Sequence, residues 1–226
     1  MLKRLVTQDK IENDGRVDPR VKRSRKMLQN AFDELLVEKG FPNITVNDIA
    51  ERASVNRATF YLHFEDKYAL LRYNLRESFT QLLEERVPGE PTFSIETLHL
   101  LTATFCEFLG RVYRRCHSES GSEEAIMLLA HLQHFVYELL LVWMTRPGQG
   151  QKRATRRNLS AQAATYEPSL EDAAAALSWL VFGSGIQAQI SPTQQPPEYW
   201  AQQMLALVTP GVRMLLEASS AGNSNP

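Results

Sequence analysis

The stretch Thr45–Lys67, TVNDIAERASVNRATFYLHFEDK, has the pattern of two short helices joined by a tight turn. Thr45 is a residue type that caps helix starts. The apolar side chains that follow have the spacing of one helix face: Val46, Ile49, Ala50 and Ala53. A turn at Ser54-Val55 comes next, and Asn56 can cap a second helix over residues 57–64. Together these features predict a helix-turn-helix.

The second helix of this motif has one apolar face and one polar face. Phe60 and Phe64 lie four residues apart and can anchor the helix to a core. A different face carries two polar side chains that are also four apart, with two more beside them: Arg57 and Tyr61, then Thr59 and His63. A helix held in this way can enter a major groove about 12 Å wide.

Outward from the motif, helical spacing continues along the chain and alternating β-branched runs are nearly absent. A first helix should start at Pro19, behind the cap Asp18, and close at Gly40, where a left-handed residue is wanted. A fourth helix is expected from Lys67 to about Arg86. Further helices are expected at about 93–115, 122–145, 169–190 and 198–218. The fold class is therefore all-α.

These elements suggest an organisation in four parts. Residues 1–18 are expected to be a flexible basic arm, and residues 19–66 a three-helix DNA-binding domain with its reading motif at 45–64. Residues 67–218 are expected to form a second, all-helical domain. That domain would contain a mobile loop at about 147–168 and be followed by a disordered tail, 219–226.

Composition bounds the partners and the location of the chain. Its 226 residues carry a formal net charge of −1, but six basic side chains against one acid cluster between Arg16 and Lys26 and can serve a phosphate backbone. The apolar stretch Ala125–Met144 is interrupted by ionisable groups, so no membrane partner is expected. No apolar secretory core opens the chain, and Cys106 and Cys116 are too far apart on one helix for a disulfide. A cytoplasmic, nucleoid-associated protein is expected.

The segment from Arg20 to Leu71, about a quarter of the chain, resembles the DNA-binding domain of the TetR family. The resemblance rests on Gly40-Phe41 at the end of the long first helix, on Thr45, Ile49-Ala50 and Ala53, and above all on Thr59-Phe60-Tyr61-Leu62-His63-Phe64 followed by Lys67. One position departs from the family pattern, because Ser54 stands where the turn usually has glycine. If Ser54 has a positive φ, its side chain adds strain that glycine avoids.

The resemblance implies a DNA-contacting role for seven residues. Thr45 would bind phosphate at a helix start, and Arg57 and Thr59 would reach base edges. Tyr61 would touch phosphate or a thymine methyl. The remaining three would hold the phosphate backbone: His63, Lys67 and Arg25. The partner implied is a double-stranded DNA operator.

The resemblance also implies that the second half of the chain forms a homodimer and often houses an effector pocket. Small and large apolar residues on the last two helices are candidates for the dimer interface: Trp179, Phe182, Gly183, Met204, Val208 and Leu215. The pocket of a small apolar or aromatic effector would have apolar walls and a few polar groups. The candidates are Phe105, Phe108, Met127, Tyr137 and Trp143 as walls, and His131 and His134 as polar groups. Thr209-Pro210-Gly211 is expected to kink the last helix.

The expected function is that of a homodimeric transcriptional regulator, a repressor that leaves an inverted-repeat operator when an effector binds. His131, His134 and Glu138 share one helix face, but a metal site needs more ligands, so no metal and no cofactor are expected. No nucleophile elbow, phosphate loop or Cys-x-x-Cys supports an enzyme. Two alternatives remain open: a DNA-bound adaptor whose second half binds a protein, and a helical ligand carrier or enzyme with a vestigial helix-turn-helix.

Overall fold

The computed structural model describes residues 19–115, 123–146, 169–193 and 195–221, with the side chains of 115, 123–128 and 211–221 left out. Every regular element in these ranges is helical, which confirms the all-α prediction. The helices are α1 (Pro19–Lys39), α2 (Val46–Arg52), α3 (Arg57–His63), α4 (Lys67–Arg86), α5 (Ile95–Arg115), α6 (Glu123–Thr145), α7 (Leu170–Ile190) and α8 (Pro197–Ala221). A single 3-10 turn, Phe41–Asn43, which the spacing did not predict, connects α1 to α2.

The described helices pack as two units. The first contains residues 19–82 together with 110–115 and 123–132, and the second contains 83–109, 133–146 and the ranges that hold α7 and α8. The chain therefore passes from the first unit to the second within α4, after Leu82. The domain boundary expected after residue 66 stays a prediction.

In the first unit, a buried apolar cluster holds α1, α2, α3 and the start of α4 together. Leu28, Phe32 and Leu35 supply the buried face of α1, and their i, i+4, i+7 spacing places them on one side of the helix. Ile49 from α2 and Phe60 from α3 are fully buried against the same cluster. The cluster fixes the two short helices, which would be too short to persist alone in water.

In the second unit, α7 packs against α8 and lies close to α5. Gly185 of α7 is buried, and a Cβ atom added there would come within 2.7 Å of the Phe105 ring. A hydrogen bond from Gln189 Nε2 to the Cys106 carbonyl oxygen, 3.3 Å, joins α7 to α5 as well. Gln133 Nε2 of α6 donates to Ser178 Oγ of α7 at 2.8 Å. An ion pair between Arg86 and Glu107 links the end of α4 to α5.

Several expectations on loops and ends have different outcomes. α8 continues through Ala221, so residues 219–221 are helical and the tail prediction was wrong for them, because the helix propagates past the expected stop. Pro210 lies inside α8, and the expected kink there stays a prediction. The arm 1–18, the loop 147–168 and the tail residues 222–226 lie outside the described residues. α7, not the Ala125–Met144 stretch, is the described helix that is long and apolar enough to cross a membrane, with a mean hydropathy of 1.2.

Candidate nucleic-acid interface

Helix α2 begins with a closed capping box. Thr45 Oγ1 accepts from the Asp48 amide at 3.1 Å, and the Asp48 carboxylate accepts from the Thr45 amide at 2.8 Å and from the Thr45 hydroxyl at 2.7 Å. Lys39 also donates to Asp48 at 2.8 Å, and these hydrogen bonds, the one from Lys39 first, lower the pKa of the Asp48 carboxyl. The only hydroxyl hydrogen of Thr45 is therefore used inside the helix. A phosphate contact by this hydroxyl would require it to leave Asp48, so that role stays a prediction.

The turn between α2 and α3 contains Ser54, the residue that stands where the family usually has glycine, and its φ is positive. Ser54 has a φ of 54°, a left-handed backbone that costs a non-glycine residue roughly 1–2 kcal/mol. The Val55 amide donates to the Ala50 carbonyl at 3.0 Å, which closes the turn. Asn56 then caps α3, because its side-chain oxygen accepts from the Ala58 amide at 2.9 Å. Arg57, the first residue of α3, is exposed.

Helix α3 buries one side and exposes the other. Phe60 is fully buried and Phe64 nearly so, as their spacing predicted, while Arg57 and Tyr61 are exposed. Arg57 Nη2 donates to the Tyr61 hydroxyl at 3.0 Å, and the guanidinium carbon lies 5.4 Å from the centre of the Tyr61 ring. The arginine is thus held in one direction and still has further N–H groups to donate. Thr59 is partly buried.

His63, at the end of α3, is tied to α1. Its Nε2 lies 2.7 Å from Ser24 Oγ, and its Nδ1 is buried with no hydrogen-bond partner among the described residues. Burial, and then the nearby charge of Arg25, lower the pKa of His63. Arg25 itself lies over the Tyr73 ring of α4 at 5.2 Å. Both side chains are partly buried, and their expected phosphate contacts stay predictions.

The ammonium group of Lys67 forms its hydrogen bonds within the first unit. Its ammonium group donates to the carbonyl oxygens of Phe41, Pro42 and Ile44 at 3.3, 3.2 and 2.9 Å, and it lies 4.7 Å from the centre of the Phe41 ring. An ammonium has three hydrogens, and these carbonyls accept all three. Lys67 therefore clamps the loop between α1 and α2, and the phosphate contact that the resemblance implied stays a prediction.

Two further residues of α3 are exposed beside the predicted ones. Ala58 and Leu62 are both exposed, and 74% of the Leu62 side chain is open to solvent. They lie four apart, in a row next to that of Arg57 and Tyr61. Neither side chain is polar, so polarity gave no signal for them, although their spacing relative to the buried Phe60 and Phe64 places them on the outer face of α3.

The exposed arginine of α2 is held quite differently from that of α3. Arg52 forms paired hydrogen bonds of 2.8 and 2.7 Å to the Glu38 carboxylate and one of 3.1 Å to Glu34, which joins α2 to α1. These bonds lower the pKa of Glu38. Because two carboxylates surround Arg52, it adds little free positive charge to this surface.

The effector candidates in the second unit divide into buried and exposed residues. Phe105, Phe108 and Trp143 are buried, and Trp143 Nε1 has no hydrogen-bond partner among the described residues. Tyr137 is half-buried, and the side chain of Met127 lies outside the described set.

The two histidines proposed as polar groups of a pocket are exposed, which corrects that expectation. Helical spacing placed them on α6 but did not fix which face of α6 is outside. His134 Nε2 lies 3.5 Å from the Glu138 carboxylate, one turn away on the same helix. Among the described residues, no group of three or more histidine, cysteine, aspartate or glutamate side chains could hold a metal ion.

The dimer candidates lie on a helix pair with exposed apolar surface. Trp179 is 60% exposed, Gly183 is open, and Phe182 is partly buried against the Phe105 ring. Met204 is buried and Val208 partly buried, while the side chain of Leu215 is not described. Other exposed apolar residues on the same two helices are Leu170, Leu180, Ile190, Tyr199 and Leu207.

Comparison with known proteins connects this geometry to a family. The model of the family described as "Bacterial regulatory proteins, tetR family" matches residues 30–73. Two relatives from Bacillus subtilis (strain 168) are the HTH-type transcriptional regulators YxbF, 36% identical over 74 residues, and YdeS, 38% identical over 76 residues. These alignments cover 32% and 34% of this chain but 20% and 36% of the relatives, so this chain spans well under half of their length.

The wider fold has a counterpart among solved structures. A protein assigned as a transcriptional regulator from Pseudomonas aeruginosa PAO1 aligns over 86% of this chain and 91% of its own, with a TM-score of 0.50 and 18% identity. At that identity the likeness concerns the fold alone. The matched segment, residues 30–73, contains the buried anchors and the exposed face of α3 together with the turn before it. Residues 30–73 of this chain therefore match the N-terminal helix-turn-helix segment of the TetR family of bacterial regulatory proteins.

Proposed function

We propose that this protein is a sequence-specific DNA-binding transcriptional regulator that inserts α3 into the major groove. The observation that carries the proposal is the arrangement of α3, where Phe60 is buried and Arg57 stands exposed against Tyr61. A guanidinium fork held in this way matches the two acceptors of a guanine edge, which is the commonest specific contact to a base. Partly buried Thr59 is the second base-contacting candidate.

We call the helix-turn-helix of α2 and α3 the reading head. Its phosphate contacts come mainly from the neighbouring start of α1. Ser24 meets His63 at the end of α3, so the N-terminal turns of α1 lie beside the reading helix. Four exposed basic residues occupy these turns: Arg20, Lys22, Arg23 and Lys26. Basic side chains next to a reading helix neutralise the flanking phosphates and fix its register.

The protein acts as a homodimer on an inverted repeat. The exposed apolar faces of α7 and α8 need a partner surface, since residues 173–190 of α7 contain no charged side chain to keep the helix in water. A second copy offers the same face, and a two-fold pair presents α3 twice, at half-sites about 34–36 Å apart.

Regulation is by repression that a small apolar or aromatic effector relieves. In the second unit, Trp143 carries a buried indole N–H without a described partner, and leaving such a donor unpaired costs roughly 1–3 kcal/mol. A ligand with a hydrogen-bond acceptor would recover that energy against the Trp143 indole, and Phe105 and Phe108, which are buried in the same unit, stay the candidates for apolar walls. Because α4 contributes to both units, effector binding would act through α4 on the spacing of the two reading heads.

The test is a selection of bound fragments from the genome of the source bacterium, followed by sedimentation of the purified chain. We expect enrichment of a short inverted repeat and a dimer at micromolar concentration. Adding candidate apolar acids and aromatics should raise Tm and weaken binding to the enriched fragment together, since the coupling is reciprocal. A monomer, or a protein that enriches no sequence, would contradict the proposal.

A further inference from the structure

The exposed face of α3 carries a second row of side chains that the contacts described above do not use. Arg57 and Tyr61 form one row, and Ala58 and Leu62 form the other. Leu62 is 74% exposed although α3 has only seven residues, and Phe60 already supplies its buried anchor. The packing of the first unit therefore gives no reason for a large apolar side chain at position 62.

The groups next to Leu62 indicate what covers it. It shares α3 with Arg57, and the neighbouring start of α1 carries exposed Arg20, Lys22, Arg23 and Lys26. A protein partner that buried Leu62 would have to accept this positive surface as well. A DNA duplex offers a negative backbone on either side of an apolar feature in its groove, because thymine places its C5-methyl group in the major groove.

We infer that Leu62, with Ala58 one turn before it, reads the C5-methyl group of a thymine next to the base pair that Arg57 contacts. The inference rests on the proposed DNA-binding function and adds the chemistry of the operator to it. Each half-site would combine a guanine, which receives the held guanidinium, with at least one neighbouring thymine. Polar hydrogen bonds would then account for only part of the base preference, and methyl contacts for the rest.

The experiment uses synthetic duplexes and the full-length chain. A duplex is first selected by the wild-type protein from a randomised library, and each thymine of the selected site is then replaced in turn by deoxyuridine, which removes the methyl group and nothing else. Burying one methyl group contributes about 0.8 kcal/mol, so we expect a single replacement in one half-site to weaken wild-type binding about fourfold, and the symmetric pair about fifteenfold. Replacements outside the contacted step should have no effect.

Variants then assign the methyl contact to a side chain. Leu62→Ala, which removes the contact in both half-sites, should bind the thymine duplex about fifteenfold more weakly and lose its response to the sensitive deoxyuridine. Val37→Ala is the matched control, because Val37 is a similarly exposed apolar residue, 76% exposed, on α1. It should keep both the wild-type affinity and the wild-type response.

The outcomes separate the inference from the proposed function. If the wild type enriches a sequence but Leu62→Ala and wild type respond equally to every replacement, the inference is overturned and the proposed function stands. If Leu62→Ala instead changes the sedimentation of the protein and leaves DNA binding unaltered, Leu62 contacts another protein chain and the inference is again overturned. If no sequence is enriched at all, the proposed function fails and the inference fails with it.

Discussion

Helices α3 and α7 both leave large side chains exposed, and the two exposed surfaces differ in chemistry. On α3, exposed Tyr61 and Leu62 stand beside Arg57, within seven residues. On α7, Trp179 and Ile190 are 60% and 65% exposed and lie on one face of a longer helix, with no charged residue between positions 173 and 190. A mixed surface suits a groove with acceptors, methyl groups and phosphates. An uncharged apolar surface suits a second copy of itself. The following predictions test this division.

The largest effect should come from placing a charge on the exposed face of α7. Trp179→Glu should give a monomer in sedimentation and weaken binding to an inverted repeat by about 10²-fold or more, because a second linked half-site raises affinity by that order. Leu170→Glu is the control, since Leu170 is an exposed apolar residue about two and a half turns before Trp179, on the opposite face of α7. If both variants stay dimeric, α7 does not form the interface.

The next effect concerns the clamp that supports the reading head. Lys67→Met removes three hydrogen bonds to carbonyls and should lower the free energy of unfolding by about 1.5–3 kcal/mol in a denaturant titration. Lys39→Met, which removes a more exposed lysine paired with Asp48, should cost less. The salt slope of DNA binding should stay unchanged. If the stability is unchanged and the salt slope of DNA binding falls by about one per half-site, Lys67 contacts a phosphate instead.

Helix boundaries were predictable where the signals are local. The helix Lys67–Arg86 was expected and is observed with the same bounds, because its apolar residues recur within a few positions of one another along the sequence. The exposed pair Arg57 and Tyr61 followed from the same spacing. The hydrogen bonds of the Lys67 ammonium group could not be predicted from spacing. Their acceptors lie on a loop more than twenty residues earlier, and only the tertiary fold brings them together with Lys67. In the same way, spacing alone did not reveal which face of α6 carries His134.

Two glycines of α7 sharpen the contrast between its buried and exposed faces. Gly185→Ala should destabilise the second unit by about 1–3 kcal/mol, because the added methyl group meets the Phe105 ring and Leu109 in a filled core. Gly183→Ala meets nothing within 4 Å and should stabilise the helix by up to about 1 kcal/mol in the free subunit. Thermal unfolding of the two variants measures the difference. Equal effects would mean that position 185 is not packed against α5.

A smaller effect is expected in the turn before α3. Ser54→Gly removes the left-handed strain at φ 54°, and the greater freedom of glycine in the unfolded chain offsets part of the gain. The expected net stabilisation is below about 1 kcal/mol in denaturant unfolding. Ser54→Ala keeps the strain and serves as the comparison. A glycine variant no more stable than the alanine variant would show that the turn carries no strain.

The smallest effect should appear with pH. The pKa of His63 is lowered in the folded state by burial and by Arg25, so the unfolded chain binds the proton more tightly. The stability of the first unit should therefore fall as pH decreases below about 6.5, towards the folded pKa. His63→Gln should show a shallower decrease in stability between pH 7.5 and pH 5, roughly the window of histidine titration, and the other histidines are common to both proteins. Identical pH profiles would contradict the assigned environment of His63.

The central claim is that α3 reads DNA through Arg57, and a titration of three proteins against two duplexes tests it most directly. Wild type, Arg57→Gln and Arg52→Gln would each be titrated with a duplex selected by the wild type and with a scrambled duplex. Both variants remove one exposed arginine, but two carboxylates hold Arg52. Arg57→Gln should lose about 1–3 kcal/mol per half-site on the selected duplex alone, and Arg52→Gln should bind like the wild type. Equal binding of all three proteins to the selected duplex would contradict the claim.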